Sequence, residues 1–262
     1  PIPTRCASLS AEQLRECIRA RKREVGSRLV ILGHHYQQDE VIEFADFTGD
    51  SLKLSQVGAA QTDAEFIVFC GVHFMAESAD ILTADDVTVI VPDLSGCCSM
   101  ADMAAIEQLE EAWDYLVENC GASVVPITYV NSAASIKAFC GGQGGACCTS
   151  SNAANILAWA LEQGEKVLFL PDQHLGRNTA YAMGIPLDRM AVYDPALPGG
   201  GLSVGQVRDA RILLWKGHCS VHGLFTPAQC DEIRKADPKC SILVHPECVW
   251  EVVQKADLAG ST

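Results

Sequence analysis

The sequence predicts an α/β protein made of short parallel sheets. Three observations predict it. Short β-branched runs alternate with amphipathic stretches along the whole chain. Nearly all of these runs are continuously apolar rather than alternating, as in strands covered on both faces. A pattern also recurs three times: a strand ends in polar residues and is followed by a small hydroxyl-bearing turn. It reads Leu32-Gly-His-His-Tyr36 with Gly49-Asp-Ser51, then Ile127-Thr-Tyr-Val-Asn131 with Thr149-Ser-Ser151, then Val244-His-Pro-Glu247 with Gly260-Ser-Thr262.

The elements follow in order. Ser10-Ala-Glu-Gln13 is a capping box that opens a helix carrying Leu14, Cys17 and Ile18 on one face. Strands are predicted at Leu29–Leu32, Phe66–Phe69, Val87–Val91, Ser123–Ile127, Val167–Leu170, Ile212–Trp215 and Ser241–Val244. A helix over Met103–Asn119 puts Ile106, Leu109, Trp113 and Leu116 on one face and stops at Gly121; another, Asn152–Gln163, stops at Gly164. Thr226-Pro-Ala-Gln229 is a second capping box, with Pro227 at the first helical position. The Gly/Pro-rich stretch Pro195–Ser203 is the clearest loop.

The recurrence is read as three homologous units, 1–108, 109–224 and 225–262. In the first two, a further strand leads to Phe69-Cys-Gly-Val-His73 or Leu170-Pro-Asp-Gln-His174. A last strand then leads to a cysteine, in Asp93-Leu-Ser-Gly-Cys-Cys-Ser99 and Trp215-Lys-Gly-His-Cys-Ser220. The third unit lacks these last two signals, so the expectation is a domain that stops midway.

Composition bounds the function. A formal net charge of −14 argues against nucleic acid or an anionic membrane surface as partner. No apolar run is long enough to span a bilayer, and Pro1 to Ser10 lacks the basic-then-apolar pattern of a secretory signal. The expected location is the cytoplasm, with the thirteen cysteines reduced. Cys6, Cys17, Cys70, Cys120, Cys140, Cys230 and Cys240 read as small buried hydrophobes. No C-x-x-C pair occurs, which disfavours a zinc ribbon or a bacterial ferredoxin run.

Ligands of open parallel sheets bind beyond the carboxyl ends of the strands, where all the polar clusters fall. Ser51, Ser150, Ser261 and Thr262 stand at turns that either cap a helix or let an anion approach its N-terminus. His34 and Tyr36, Tyr129 and Asn131, and His245 and Glu247 share a spacing of two, which points each pair to one side of an extended chain. Glu247 is the best general base, on the expectation that burial raises its pKa. Cys98 and Cys219 close corresponding strands. With His222, Cys219 offers two zinc ligands; an iron–sulfur cluster would need a further thiolate.

Ten motifs stand in one order from about residue 28 to the end. Beyond those quoted, they include Gly33-His-His-Tyr-Gln37, Phe69-Cys-Gly-Val-His-Phe-Met-Ala-Glu77, Val91-Pro-Asp-Leu94, Cys148-Thr-Ser-Ser-Asn-Ala153 and Pro171-Asp-Gln-His-Leu-Gly176. Together they resemble the quinolinate synthase family. The resemblance implies three three-layer α/β/α domains about a pseudo-threefold axis, each giving one cysteine to a [4Fe–4S] cluster. Cys98 and Cys219 match two of these ligands, with Cys97, where the family usually has Gly, as a competitor to Cys98. The third ligand is not in this chain. The implied reaction condenses iminoaspartate with dihydroxyacetone phosphate, losing phosphate and water, in de novo NAD biosynthesis. His34, Ser51, Tyr129, Asn131, Ser150, His245, Ser261 and Thr262 would surround the substrates. Tyr36 and Glu247 would transfer protons, and His222 would lie near the cluster. A homodimer and a functional link to an aspartate-oxidising enzyme belong to the same expectation. The competing readings are another [4Fe–4S] hydro-lyase acting on a small hydroxy acid, and a non-catalytic metal-binding fragment. The stretch 178–208 is longer than in compact members, as a surface excursion or an oligomer contact would be.

Overall fold

The computed structural model describes residues 6–261. Two compact units divide the chain, Pro1–Cys97 and Cys98–Thr262.

In the first unit the strands are β1 (Leu29–His34), β2 (Phe47–Gly49), β3 (Phe66–Cys70) and β4 (Thr88–Ile90). They form one parallel sheet in the order β2-β1-β3-β4. The helices are α1 (Ala11–Val25), α2 (Asp39–Ile42), α3 (Ser51–Ala59) and α4 (His73–Leu82). Ser10 and Gln13 make the capping box of α1. Leu32, Leu54, Ile67 and Phe69 are buried, so the α3–α4 side carries the core. The continuous apolar pattern overstated coverage of the other face. Phe66 is exposed and β4 is largely so.

In the second unit a parallel sheet runs in the order β6-β5-β7-β9-β8. Its strands are β5 (Val124–Tyr129), β6 (Ala146–Cys148), β7 (Lys166–Leu170), β8 (Met190–Tyr193) and β9 (Ile212–Trp215). Around it lie α5 (Ile106–Cys120), α6 (Ala134–Gly142), α7 (Ala153–Gln163), α8 (Gln173–Ala182) and α9 (Val204–Asp209). Every residue of β7 and β9 is buried, which identifies central strands covered on both faces. Leu168, Leu170, Leu213 and Trp215 pack with Leu109, Leu116 and Ile136 of α5 and α6. Phe169 and Leu214 face α8, whose Gly176 is so close that a Cβ there would meet Leu214 at 2.7 Å. The same unit contains α10 (Pro227–Ala236), β10 (Leu243–Val244), α11 (Trp250–Val253) and β11 (Leu258–Ala259), with β10 and β11 paired in parallel.

The recurrence in sequence has a counterpart in hydrogen bonding. Asp46, just before β2, exchanges bonds with Ile31: its N–H donates to the Ile31 carbonyl at 2.7 Å and its carboxylate accepts from Ile31 N–H at 2.9 Å. Asp257, just before β11, does the same with Ile242, at 2.9 and 2.8 Å. A cation from the preceding helix clamps each aspartate and the carbonyl two residues earlier. Lys22 does so at Asp46 and Phe44, and Arg234 at Asp257 and Lys255. A third, shared detail is that His34 and His245 each accept a backbone N–H from the residue two further on.

The short edge strands β2, β6, β8 and β11 escaped sequence reading. Each has two to four residues, too few to show a period. Within Pro195–Ser203 the chain makes a tight turn through Gly199, Gly200 and Gly201, all with positive φ. Gly200 lies flat on Tyr193, where a Cβ would come within 2.2 Å of the ring. Of the cysteines read as buried hydrophobes, Cys120, Cys140 and Cys230 are buried, whereas Cys17 is exposed and Cys6, Cys70 and Cys240 are half-buried. Cys17 sits on α1, none of whose residues is buried. Among the described residues, no helix is long and apolar enough to cross a membrane.

Candidate functional site

In the second unit the polar residues at the carboxyl edge of β5, β7 and β9 and beyond β10 form one connected cluster. The Cys98 loop docks on the end of β9. Trp215 Nε1–H donates to the Met103 carbonyl at 2.7 Å, and His218 N–H to Met103 Sδ at 3.3 Å. The Ser99 and Ser220 hydroxyls are hydrogen-bonded at 3.2 Å, each next to a cysteine. Cys98 and Cys219 are therefore neighbours. Burial raises the Cys98 thiol pKa, N–H groups of Ala101 and Met100 oppose the rise, and Cys219 and Glu247 add to it.

Gly217 fixes the route of the Cys219 loop. It pairs with Asp172 as a parallel bridge, and Gln173 N–H donates to its carbonyl at 3.0 Å. A Cβ at Gly217 would lie 2.2 Å from the Pro171 carbonyl oxygen, so only glycine fits.

From Cys219 a chain of side chains runs through the site. Cys219, His222 and Glu247 offer ligand atoms within 4.8 Å of one another. His222 Nδ1 and Glu247 Oε2 are 2.9 Å apart. The imidazole pKa is raised to about 10, first by its hydrogen bond with Cys219 and then by that with Glu247, against burial. His222 and Glu247 thus form an imidazolium–carboxylate pair. Tyr129, buried at the end of β5, lies against both Glu247 and Ser150. Its phenol is pushed well above the usual range by burial and then by Glu247. Ser150 and Ser261 hydroxyls close the chain at 2.8 Å. Above the pair, the His245 ring stacks on His222 with centroids 4.5 Å apart. Its Nδ1 accepts Glu247 N–H at 3.2 Å, which places its proton on Nε2.

Two expectations change here. The Glu247 pKa is lowered rather than raised: burial would raise it, but hydrogen bonds from His222 and Tyr129 and the nearby His245 outweigh burial. Ser150 does not cap α7. The cap position is Asn152, whose side chain instead accepts from Thr149 N–H at 2.6 Å. The first N–H groups of α7 thus have no side-chain cap near Ser150. Asn131 follows β5 on a half-buried bend. Thr262 lies outside the described residues.

His34, Tyr36 and Ser51 belong to the first unit. His34 ends β1 and is buried, its pKa lowered to about 4 by burial and then by His35, against Asp50. Its Nδ1 accepts Tyr36 N–H at 3.3 Å. Tyr36 is exposed, with its ring 4.8 Å from that of His34. Ser51 is buried at the first position of α3, and the capping role falls to Asp50, which accepts from Lys53 N–H at 2.8 Å.

Sequence reading passed over Asp172. It is fully buried and caps α8 through Oδ1, which accepts from His174 and Leu175 N–H. Its Oδ2 has no partner among the described residues. Burial, then Glu247, push its pKa from 3.8 up to about 8, against the two N–H groups. The folded state thus keeps a proton that the unfolded chain releases near pH 3.8. That stabilisation is complete below this pH and is lost as pH rises toward 8. Asp172→Asn keeps the capping oxygen and carries no charge. Its stability relative to the parent is expected to rise by roughly 2–3 kcal/mol between pH 6 and 8. Urea melts at the two pH values check this, and parallel curves for the two proteins would refute it.

A cavity of about 1020 Å³ lies at the opposite edge of the same sheet, lined by Lys166, Arg189, Arg208 and Arg211 among others. None of the candidate site residues lines it; they stand beyond the carboxyl ends of the strands instead.

The model of the quinolinate synthetase A protein family matches residues 16–262. Proteins named quinolinate synthase from Anoxybacillus flavithermus and Geobacillus kaustophilus are 58% and 57% identical to this chain, over all of it and 71% of their own length. One from Nocardioides is 60% identical over 94% of this chain and 65% of its own length.

Proposed function

Because the chain belongs to the quinolinate synthetase A family, we propose that it is the quinolinate synthase of NAD biosynthesis. In this reading it is a transferase that condenses iminoaspartate with dihydroxyacetone phosphate and releases phosphate and two waters. The observation that carries the reading is the line of interacting side chains from Cys219 through His222, Glu247, Tyr129 and Ser150 to Ser261. It joins a sulfur ligand at one end to an anion-binding turn at the other.

The donors fit a thiolate-held iron–sulfur group. Two cysteines are adjacent, and N–H groups of Met100 and Ala101 point at the sulfur of Cys98, where they favour charge on it. Cys98 is the better ligand than Cys97, because it is half-buried beside Cys219 while Cys97 is exposed. When bound, a [4Fe–4S] cluster with an open iron supplies Lewis acidity for dehydration.

This chain's own residues do the rest. Ser150, Ser261 and the uncapped N–H groups of α7 hold an anionic group of the substrates. Asn131, at the end of the same strand as Tyr129, contributes an amide to that side. Tyr129 keeps its proton through the cycle and donates a hydrogen bond. His245, neutral at pH 7 because burial lowers its pKa, donates through Nε2. Glu247 is the carboxylate that takes up a proton, and His222 holds it in orientation. In the first unit His34 and Ser51 bind substrate and Tyr36 transfers protons. The two-stranded β10–β11 segment belongs to a third domain of the same kind that starts near residue 225, and the boundary between the first two falls near residue 108. The setting is the cytoplasm, the assembly a homodimer, and an aspartate-oxidising enzyme supplies the imine.

Anaerobic reconstitution of the full-length protein tests the reading. Quinolinate is expected from the two substrates, with iron and acid-labile sulfide bound. Cys98→Ser and Cys219→Ser are expected to remove most of both, and Cys97→Ser to leave them in place. Zinc without sulfide would point instead to a mononuclear site at Cys219, His222 and Glu247.

A further inference from the structure

Glu247 sits on a turn, with no strand or helix of its own to hold it. The turn closes where Cys248 N–H donates to the His245 carbonyl at 3.0 Å, and Glu247 N–H is taken by His245 Nδ1. The carbonyls on either side of Glu247, those of Pro246 and Cys248, turn toward α8. There both accept from a single amide, Asn178 Nδ2, at 2.8 Å each.

Asn178 is 6% exposed and lies in the middle of α8. A side-chain amide carries two N–H donors, and two carbonyls face it, so every hydrogen is used. The reversed orientation would set an oxygen against two carbonyl oxygens, which fixes the placement. The arrangement is costly. Asparagine is a poor helix former, and Oδ1 is buried without a partner among the described residues.

We propose that Asn178 is the positioning residue of Glu247. Its amide grips the main chain on both sides of the carboxylate and sets the distance from Glu247 to His222 and Tyr129. The helix that provides it is already anchored to the sheet edge, because Asp172 caps α8 and pairs with Gly217. A second contact, the edge-to-face pair Tyr181–Trp250 with centroids 5.8 Å apart, joins α8 to the helix that follows the turn. The inference rests on Glu247 as the proton-transfer group.

The test uses the full-length enzyme with its metal. Asn178→Leu removes both donors and Asn178→Asp replaces them with acceptors. Both are expected to lower kcat by about 30-fold while KM for each substrate stays within about threefold, as a displaced catalytic group requires. In a Glu247→Ala background, Asn178→Leu is expected to cost less than about twofold. Independently of turnover, hydrogen exchange of the segment 243–250 is expected to rise severalfold in Asn178→Leu, with β7 unchanged. A kcat within about threefold of the parent, an equal loss in the Glu247→Ala background, or unchanged exchange at 243–250 would each overturn the proposal. If Glu247→Ala itself leaves kcat intact, the base assignment fails, while the exchange result still reports on the clamp. Should both variants fail to fold, Asn178→Ser, which keeps one donor, is read by the same exchange experiment. Protection equal to the parent would then count against the clamp.

Discussion

Glu247→Gln lowers kcat by about 10²–10⁴-fold, the range for loss of a positioned general base. The substitution keeps size and removes charge. Glu247 is 3% exposed and already serves His222 and Tyr129, so the amide must place an NH₂ where a carboxylate oxygen now accepts. One of these two contacts must then be remade with the amide as donor. The imidazolium loses its counter-charge, and the His222 pKa falls from about 10 toward its ordinary value. Because the carboxyl is held below its usual range, it is ionised throughout the neutral region. An acid limb near neutral pH in the kcat profile is therefore not expected from this group. Steady-state rates of quinolinate formation by the reconstituted enzyme decide it. A variant retaining more than a tenth of parental kcat would remove Glu247 from the proton path.

Trp215→Ala costs about 3–5 kcal/mol of stability, the range for emptying a large aromatic site in a packed core. Trp215 is fully buried, stacks on Tyr193 with centroids 5.8 Å apart, and donates to the Met103 carbonyl. Truncation removes ring, stack and donor together. It also orphans the carbonyl that ties the Cys98 loop to the end of β9. Metal retention is expected to fall with stability, which distinguishes this site from core positions remote from the cysteines. Trp215→Phe restores the volume without the N–H and is expected to recover stability more fully than metal retention. Urea melts with iron assays on both variants test the pair; full iron retention in Trp215→Ala would falsify the coupling.

Much of the second unit was legible in the sequence, for a physical reason. A strand covered on both faces is apolar at nearly every position, so β7 and β9 stand out as Val167–Leu170 and Ile212–Trp215. The capping boxes at Ser10 and Thr226 were equally plain, because the side chains that satisfy orphan N–H groups are few. What stayed hidden has no local signature. Edge strands as short as Phe47–Gly49 leave no period to detect. Asp172 and Asn178 read as an ordinary helix start and an ordinary polar helix residue, and only tertiary contact reveals one as a buried acid and the other as a double donor. Glu247 was found by type and place, but its ionisation was misjudged. Burial was visible from the sequence, whereas the converging partners His222 and Tyr129 come from elements far from it along the chain.

Gly217 resting against the Pro171 carbonyl has a mechanical consequence. Backbone meets backbone there with no lever arm between them, so Cys219 can shift relative to α8 only if whole strands slide. Rigidity at the reactive edge thus comes from a missing methyl group.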